Sequence, residues 1–187
     1  MAARVAHAAR ALRGGELVVY PTDTLLGLGA NASDRRAVAR LEALKGRPTG
    51  QPLSIALSST EELDRWAELT PVARSWTRRH LPGPYTVLVP PSPWARRHLP
   101  PSIVPPGGAI GLRVPDHPLA RELARQVGPV VATSANRHGH PPTPSVACAR
   151  RTFRNQVAAY VPARPAPSGR PSVFVDLRGD APRPLGR

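Results

Sequence analysis

Prolines stand at 25 positions, and where they cluster they dictate what this chain cannot do. The proline ring fixes φ at about −65° and removes a backbone donor. PPSPWARRHLPPSIVPPGG (90–108) and PARPAPSGRP (162–171) therefore read as loops or extended segments. The first predicts a long surface loop, the second a connector before a last strand. Regular structure has to fit in short pieces between such stops. The apolar run Leu17 to Tyr20, closed by Pro21, predicts a short buried strand. PLSIAL (52–57), YTVLVP (85–90), AIGLRVP (109–115), PVVATSAN (129–136, breaking at Ser134) and PSVFVDL (171–177) read the same way.

Helices fall between these runs. MAARVAHAARALRGG is an amphipathic helix ending at Gly14-Gly15. Asp34 is an N-cap for a helix over 35–44, with Ala37, Val38, Leu41 and Leu44 on one face. Further helices are predicted from Thr60, from Thr70, over 117–126 with a proline near the start, and from near Ser145. No internal repeat is apparent. The expectation is one α/β domain, residues 1–187, with a twisted, open mixed sheet flanked by helices. No GxGxxG follows a strand and no GxxxxGK[ST] occurs, so neither glycine-rich phosphate cradle is present.

A chain of 187 residues, 41% of them hydrophobic, buries a core without staples. Aromatics are only 4%, so that core is built from Leu, Val and Ala. The single cysteine, Cys148, excludes a disulfide framework and a four-cysteine metal site and fits a reducing cytoplasm. The start has no long apolar run, so neither a secretory signal nor a membrane span is expected. Its arginines and alanines resemble a transit peptide, but a strand follows at once. The formal net charge of +14 favours phosphates or nucleic acid as partners. Coding bias accounts for arginine over lysine, but not for having only 12 acids.

Against that background Lys45 stands out as the single lysine among 26 lysines and arginines. It ends a predicted helix, Gly46 lets the chain turn, and Arg47 follows. A basic helix C-terminus complements the helix dipole. Two cations with no acid beside them also suit an anion such as a polyphosphate. Strand ends supply the other candidates. VVYPTDT delivers Thr22, Asp23 and Thr24 to the carboxyl end of a strand, where α/β sheets bind ligands, although the same residues form ordinary turns. PVVATSAN ends in Ser134 and Asn136, whose polar groups and free N–H groups suit an anion or a plain loop. His138 and His140 lack a third ligand and read as exposed loop residues. No hydrolase triad and no catalytic carboxylate pair is supported.

Taken in order, YPTDT-x-x-GLGA, KGRP-x-x-x-PLS, LPGPYT, GLRVPDHP, VATSAN-x-x-G-x-PP and PSVFVDL resemble the YrdC/TsaC family of threonylcarbamoyl-AMP synthases, from about residue 12 to 177. The resemblance implies a reaction of L-threonine, bicarbonate and ATP to threonylcarbamoyl-adenylate and pyrophosphate. The product feeds N6-threonylcarbamoyladenosine formation in tRNAs that read ANN codons. It also implies an open α/β fold with a basic concave cavity. The family's KxR falls on Lys45 and Arg47, expected to hold the ATP phosphates and screen charge as the catalytic residues. Its SxN falls on Ser134 and Asn136, expected with Gln51 at the nucleotide. Thr24, Arg113 and Ala132 are expected at L-threonine. Mg²⁺ accompanies ATP without a dedicated protein site. Partner proteins carry the group to tRNA, as in the short form of the family, and direct tRNA binding is open.

The chain departs from the family pattern at Leu26, at His138, at Val173, at Gln51 and at Ala56. Its terminal PRPLGR leaves either Arg183 or Arg187 to take the place of a family arginine. Two other readings compete: a carbamoyl-transfer relative with another acceptor, and a catalytically silent tRNA- or rRNA-binding module.

Overall fold

A computed structural model describes residues 2–48, 51–162 and 164–186. Helix α1 (Ala2–Arg13) leads through Gly15 at φ 77° into β1 (Val18–Pro21). Then come β2 (Leu26–Gly29), α2 (Arg35–Lys45) and β3 (Ser54–Ala56). A 3-10 turn runs directly into α3 (Leu63–Trp66), and α4 (Pro71–His80) and β4 (Tyr85–Val89) follow. Next are α5 (Pro93–His98), β5 (Ile110–Arg113) and α6 (Pro118–Val127). The chain ends with β6 (Val130–Val131), β7 (Thr133–Ser134), α7 (Val146–Phe153), a second 3-10 turn, β8 (Ala159–Tyr160), β9 (Val173–Asp176) and β10 (Arg183–Gly186).

The strands form two sheets where the sequence predicts one. One has the order β7-β2-β1-β8, the other β10-β9-β4-β5-β3-β6. Both mix parallel and antiparallel pairs. The division runs through residues 130–134, which bond to both sheets. Val130 and Val131 pair with β3, whereas Thr133 and Ser134 pair with β2. Between them Ala132 donates its N–H to the Ser54 carbonyl at 2.8 Å. The run that reads as one strand therefore passes from sheet to sheet and makes a seam.

β1 shows how the layers pack. Side chains alternate across a strand. Leu17 and Val19 enter the main core, while Val18 and Tyr20 enter a second cluster with Leu12 of α1 and Leu123 of α6. Each such fully buried side chain contributes roughly 1.5–3 kcal/mol.

Several elements escaped sequence reasoning. β2 is hidden by Gly27 and Gly29, residues poor in strands. A Cβ on Gly29 would lie 2.8 Å from the Tyr20 ring, so the glycines let that ring lie flat on the sheet. The stretch 90–108 is not all loop: Ser92 accepts from the Ala95 N–H and Pro93 opens α5, a serine-proline helix start. A short repeat is also present. WTRRHLP (76–82) recurs as WARRHLP (94–100). In each copy the histidine stacks on the tryptophan, at 4.2 and 3.6 Å between centroids, and its Nδ1 donates to the tryptophan carbonyl. Leu81 and Leu99 are buried, so each copy is a helix stop that folds back onto the core.

α2 forms as expected and reaches one residue further. Asp34 accepts from the N–H groups of Arg36 and Ala37, and Gly46 takes φ 65°, a conformation glycine adopts without a Cβ penalty. The two caps set where Lys45 stands. Asp34→Ala is expected to cost about 1 kcal/mol, a fall of about 2–4 °C in a thermal melt of a chain this size. An unchanged melting midpoint would show that the cap contributes nothing.

Candidate active site

The seam between the sheets opens into a half-enclosed cleft of about 190 Å³. Thr22, Thr24 and Leu26 line it from the β1–β2 side, Arg113 from the end of β5, Ala132 and Ser134 from the strand crossing, and Arg47 from beyond α2. Ser54, Thr86, Ser172 and Phe174 complete the wall. Among the described residues the lining contains two arginines and no acid.

The floor is organised around Arg113, which is 6% exposed. Its Nη2 donates to Asp23 Oδ1 at 2.6 Å and its Nη1 to Thr24 Oγ1 at 3.1 Å. Burial works against this guanidinium's charge, and Asp23 beside it offsets that. Asp23 is outside the lining and holds the arginine from behind. The pair is incompletely satisfied: Arg113 Nε and Asp23 Oδ2 are both buried without a partner. Thr22 forms the turn that presents Thr24. Its hydroxyl donates to the Leu25 carbonyl at 2.7 Å and lies 3.0 Å from the Thr24 hydroxyl. With its own proton committed to Leu25, Thr22 accepts from Thr24. Thr24 accepts from Arg113 and keeps one lone pair toward the cleft. A floor with spare guanidinium donors next to a spare hydroxyl acceptor suits a small zwitterion, carboxylate on one and ammonium on the other. A strap of the proline-rich segment closes one side, the Ser168 and Gly169 N–H groups donating to the Asp23 and Thr24 carbonyls at 3.0 and 2.9 Å.

Lys45 lies where α2 meets the strand crossing. Its ammonium donates to the Ser134 carbonyl at 2.7 Å, the Asn136 carbonyl at 3.0 Å and Asn136 Oδ1 at 2.9 Å. Three oxygens around one point match the three donors of an ammonium, and a planar fork would not fit them. Only 4% of the residue is exposed, and among the described residues no carboxylate is its partner. Asn136 also accepts from the Ser134 hydroxyl at 2.6 Å and donates to the His140 carbonyl. Lys45 and Asn136 thus form a brace behind the cleft wall. Ser134 and Arg47 face the cleft itself. Arg47 is held by the Gln51 and Pro52 carbonyls at 3.1 and 3.0 Å.

Of the residues singled out in the sequence, Thr24, Arg47, Arg113, Ala132 and Ser134 meet in one cleft. Lys45 and Asn136 stand against its back, and Gln51 is exposed outside the lining, reaching Arg47 through its carbonyl only. Among the atypical positions Leu26 lines the cleft; His138, Val173 and Ala56 do not. Arg183 pairs with Asp176 at 3.4 Å, and Arg187 lies outside the described residues. Sequence reasoning missed Asp23 as the partner of Arg113. It also missed Ser54, Thr86 and Ser172; the last two share a hydrogen bond of 2.9 Å across β4 and β9. The available signal was three hydroxyls at the starts of strand runs. Among the described residues no three His, Cys, Asp or Glu side chains gather as metal ligands, and no helix is long and apolar enough to cross a membrane.

Fold and site together define an α/β domain of two mixed sheets whose seam holds a buried and a half-buried arginine. The profile of the Sua5/YciO/YrdC family, described as telomere recombination, matches residues 10–187. The threonylcarbamoyl-AMP synthase of Halorhodospira halophila is 39% identical over 184 residues, covering 95% of this chain and 92% of that one. A Pyrococcus abyssi Sua5 structure, "complexed with L-threonine", superposes with a TM-score of 0.85 at 32% identity over 97% of this chain, which spans 53% of the Sua5 chain. Escherichia coli YciO shares the fold at a TM-score of 0.82 and 23% identity, covering 98% of this chain and 90% of its own. The chain belongs to the Sua5/YciO/YrdC family.

Burial, reinforced by Arg47, pushes the Lys45 ammonium down from 10.5 to about 8. The folded state therefore releases this proton near pH 8 while the unfolded chain keeps it until about pH 10.5, so this group makes folding more favourable as pH rises through that window. With one lysine in the chain, carbon-13 lysine labelling gives one side-chain ε resonance. Its titration midpoint is expected near 8; a midpoint at the ordinary 10.5 would contradict a desolvated ammonium.

Proposed function

We propose that the protein is a threonylcarbamoyl-AMP synthase, a nucleotidyltransferase that acts on L-threonine, bicarbonate and ATP. The observation that carries this reading is the floor of the cleft. Arg113 and Thr24 present guanidinium donors and a hydroxyl acceptor side by side, with Ala132 leaving room between them. The volume of about 190 Å³ is below the roughly 300–1,000 Å³ of pockets for drug-sized ligands and suits an amino acid better than a whole nucleotide. The triphosphate then extends along the open side toward Arg47 and Ser134. The resemblance to relatives named for this activity supports the same assignment.

The chemistry needs positioning and charge more than covalent help. The threonine amine adds to bicarbonate and water leaves, giving a carbamate. A carbamate oxygen then attacks the α-phosphorus of ATP, and pyrophosphate departs. Two anions have to meet, so fixed cations lower the barrier. Arg113 holds the amino-acid carboxylate away from the reacting amine, and Thr24 orients that amine. Among the described residues Arg47 Nη1 has no partner, and it takes phosphate oxygens. Lys45 holds Ser134 and Asn136 in place and, by exchanging a carbonyl partner for a phosphate oxygen, screens the triphosphate directly. Gln51 rims the nucleotide. Magnesium carried in with ATP would add charge screening at the phosphates, beside the cations that Arg47 and Lys45 supply. On this reading the adenylate passes to partner proteins that modify tRNA in the cytoplasm.

Pyrophosphate release from ATP and bicarbonate is expected to depend on L-threonine. Lys45→Ala should abolish it. Arg113→Ala should raise KM for L-threonine by roughly 10- to 150-fold, the loss of a charged hydrogen bond of about 1.5–3 kcal/mol, with a smaller effect on ATP. Release that ignores threonine, or responds to another acceptor instead, would contradict the assignment.

A further inference from the structure

Asp23 and Thr24 are held from two directions. Arg113 donates to their side chains, and the N–H groups of Ser168 and Gly169 donate to their carbonyls at 3.0 and 2.9 Å. The second hold comes from the strap, residues 165–171. None of its residues is buried, so no apolar side chain anchors it in the core. Among the described residues, its hydrogen bonds to the rest of the molecule go to Asp23, Thr24 and His117 alone.

His117 stands where the chain leaves β5, which ends at Arg113, and enters α6. It is 1% exposed. Its Nδ1 accepts from the Leu119 N–H at 3.2 Å and caps α6. A ring nitrogen that accepts carries no proton, so the proton of this ring is on Nε2. Nε2 then donates to the Pro165 carbonyl at 3.1 Å. Capping alone does not call for an imidazole, because Ser, Thr, Asp and Asn are the favoured N-cap residues. What the imidazole adds is a second nitrogen on the far side of the ring, which reaches the strap while the first holds the helix. The contacts close a circuit. Arg113 holds Asp23 and Thr24, Ser168 and Gly169 hold their carbonyls, His117 holds Pro165, and the chain runs from His117 back to Arg113.

We infer, on the reading of Arg113 and Thr24 as the L-threonine subsite, that His117 is a positioning residue for that subsite: it latches the strap, and the strap fixes Asp23 and Thr24 beneath the ligand. His117 is outside the cleft lining and acts only through the strap. Freeing Pro165 loosens the hold on two carbonyls. Through them it loosens the hydroxyl that orients the amine and the carboxylate that backs Arg113. The far end of the strap, Pro171, lines the cleft with its neighbour Ser172, so the same latch shapes that wall.

His117→Asn separates the two roles of the ring. An asparagine Oδ1 still caps α6, but the shorter side chain cannot reach Pro165 as well. Amide hydrogen exchange of the full chain, read by nuclear magnetic resonance, is expected to quicken about 2- to 10-fold at Ser168 and Gly169, the effect of losing one net hydrogen bond. The amides of β1, β4 and β5 should exchange as in the wild type. In pyrophosphate release, KM for L-threonine should rise by a similar factor while KM for ATP stays the same. His117→Ala, which removes the cap too, should show the same split between the two KM values together with a lower melting temperature. Unchanged exchange at Ser168 and Gly169 in His117→Asn, or faster exchange spread evenly through the core strands, would overturn the latch. So would a wild-type KM for L-threonine in a variant whose strap amides have opened. Wild-type release that ignores threonine would overturn the reaction assigned to the cleft instead, with exchange at Ser168 and Gly169 still deciding the latch.

Discussion

The cleft depends on a guanidinium that is almost out of contact with water. Arg113 comes from the six-stranded sheet and Asp23 from the end of β1 in the other, so their 2.6 Å ion pair ties the two sheets across the seam. Burying both charges costs several kcal/mol of desolvation, which pairing offsets only with good geometry. Removing Asp23 alone would leave an uncompensated buried cation, a loss of about 3–5 kcal/mol. The same burial makes Arg113 useful. In a site of low dielectric a fixed charge acts strongly on a ligand and needs no reorganisation when the ligand arrives.

Lys45 repeats this logic at the other side of the cleft with uncharged partners. Three backbone and amide oxygens replace water around its ammonium, and the caps of α2 at Asp34 and Gly46 deliver it there. The brace sets the shape of the corner from Ser134 to Asn136. It also explains why an arginine-rich chain keeps one lysine: the pocket formed by these oxygens surrounds a point. The ammonium braces the wall and has to trade a carbonyl for a phosphate oxygen if it is to touch ATP.

Much of the fold was legible, and the parts that were not share a cause. Local signals worked where the outcome was local: the cap at Asp34, the stop at Gly46, the serine start of α7 at Ser145, and the strand runs at 52–57 and 85–90. The division into two sheets was not legible, because it depends on residues 130–134 pairing with β3 on one side and with β2 and the stretch after it on the other, all distant in sequence. β2 was masked by glycines whose reason is the Tyr20 ring packed against them. α5 was masked by prolines read as breakers although one of them opens the helix. In the site, the meeting of Lys45 with Ser134 and Asn136 was accessible only through resemblance to a family. Asp23 looked like a turn residue because its partner, Arg113, lies on another sheet.

The account stands on Arg113 receiving the amino-acid carboxylate while Asp23 stays behind it. A crystal structure with L-threonine and a non-hydrolysable ATP analogue tests this directly. The carboxylate should lie within hydrogen-bond distance of the Arg113 guanidinium, the ammonium at Thr24, and the phosphates between Arg47 and Ser134. An amino acid bound away from Arg113, with that arginine engaged by Asp23 alone, would contradict it.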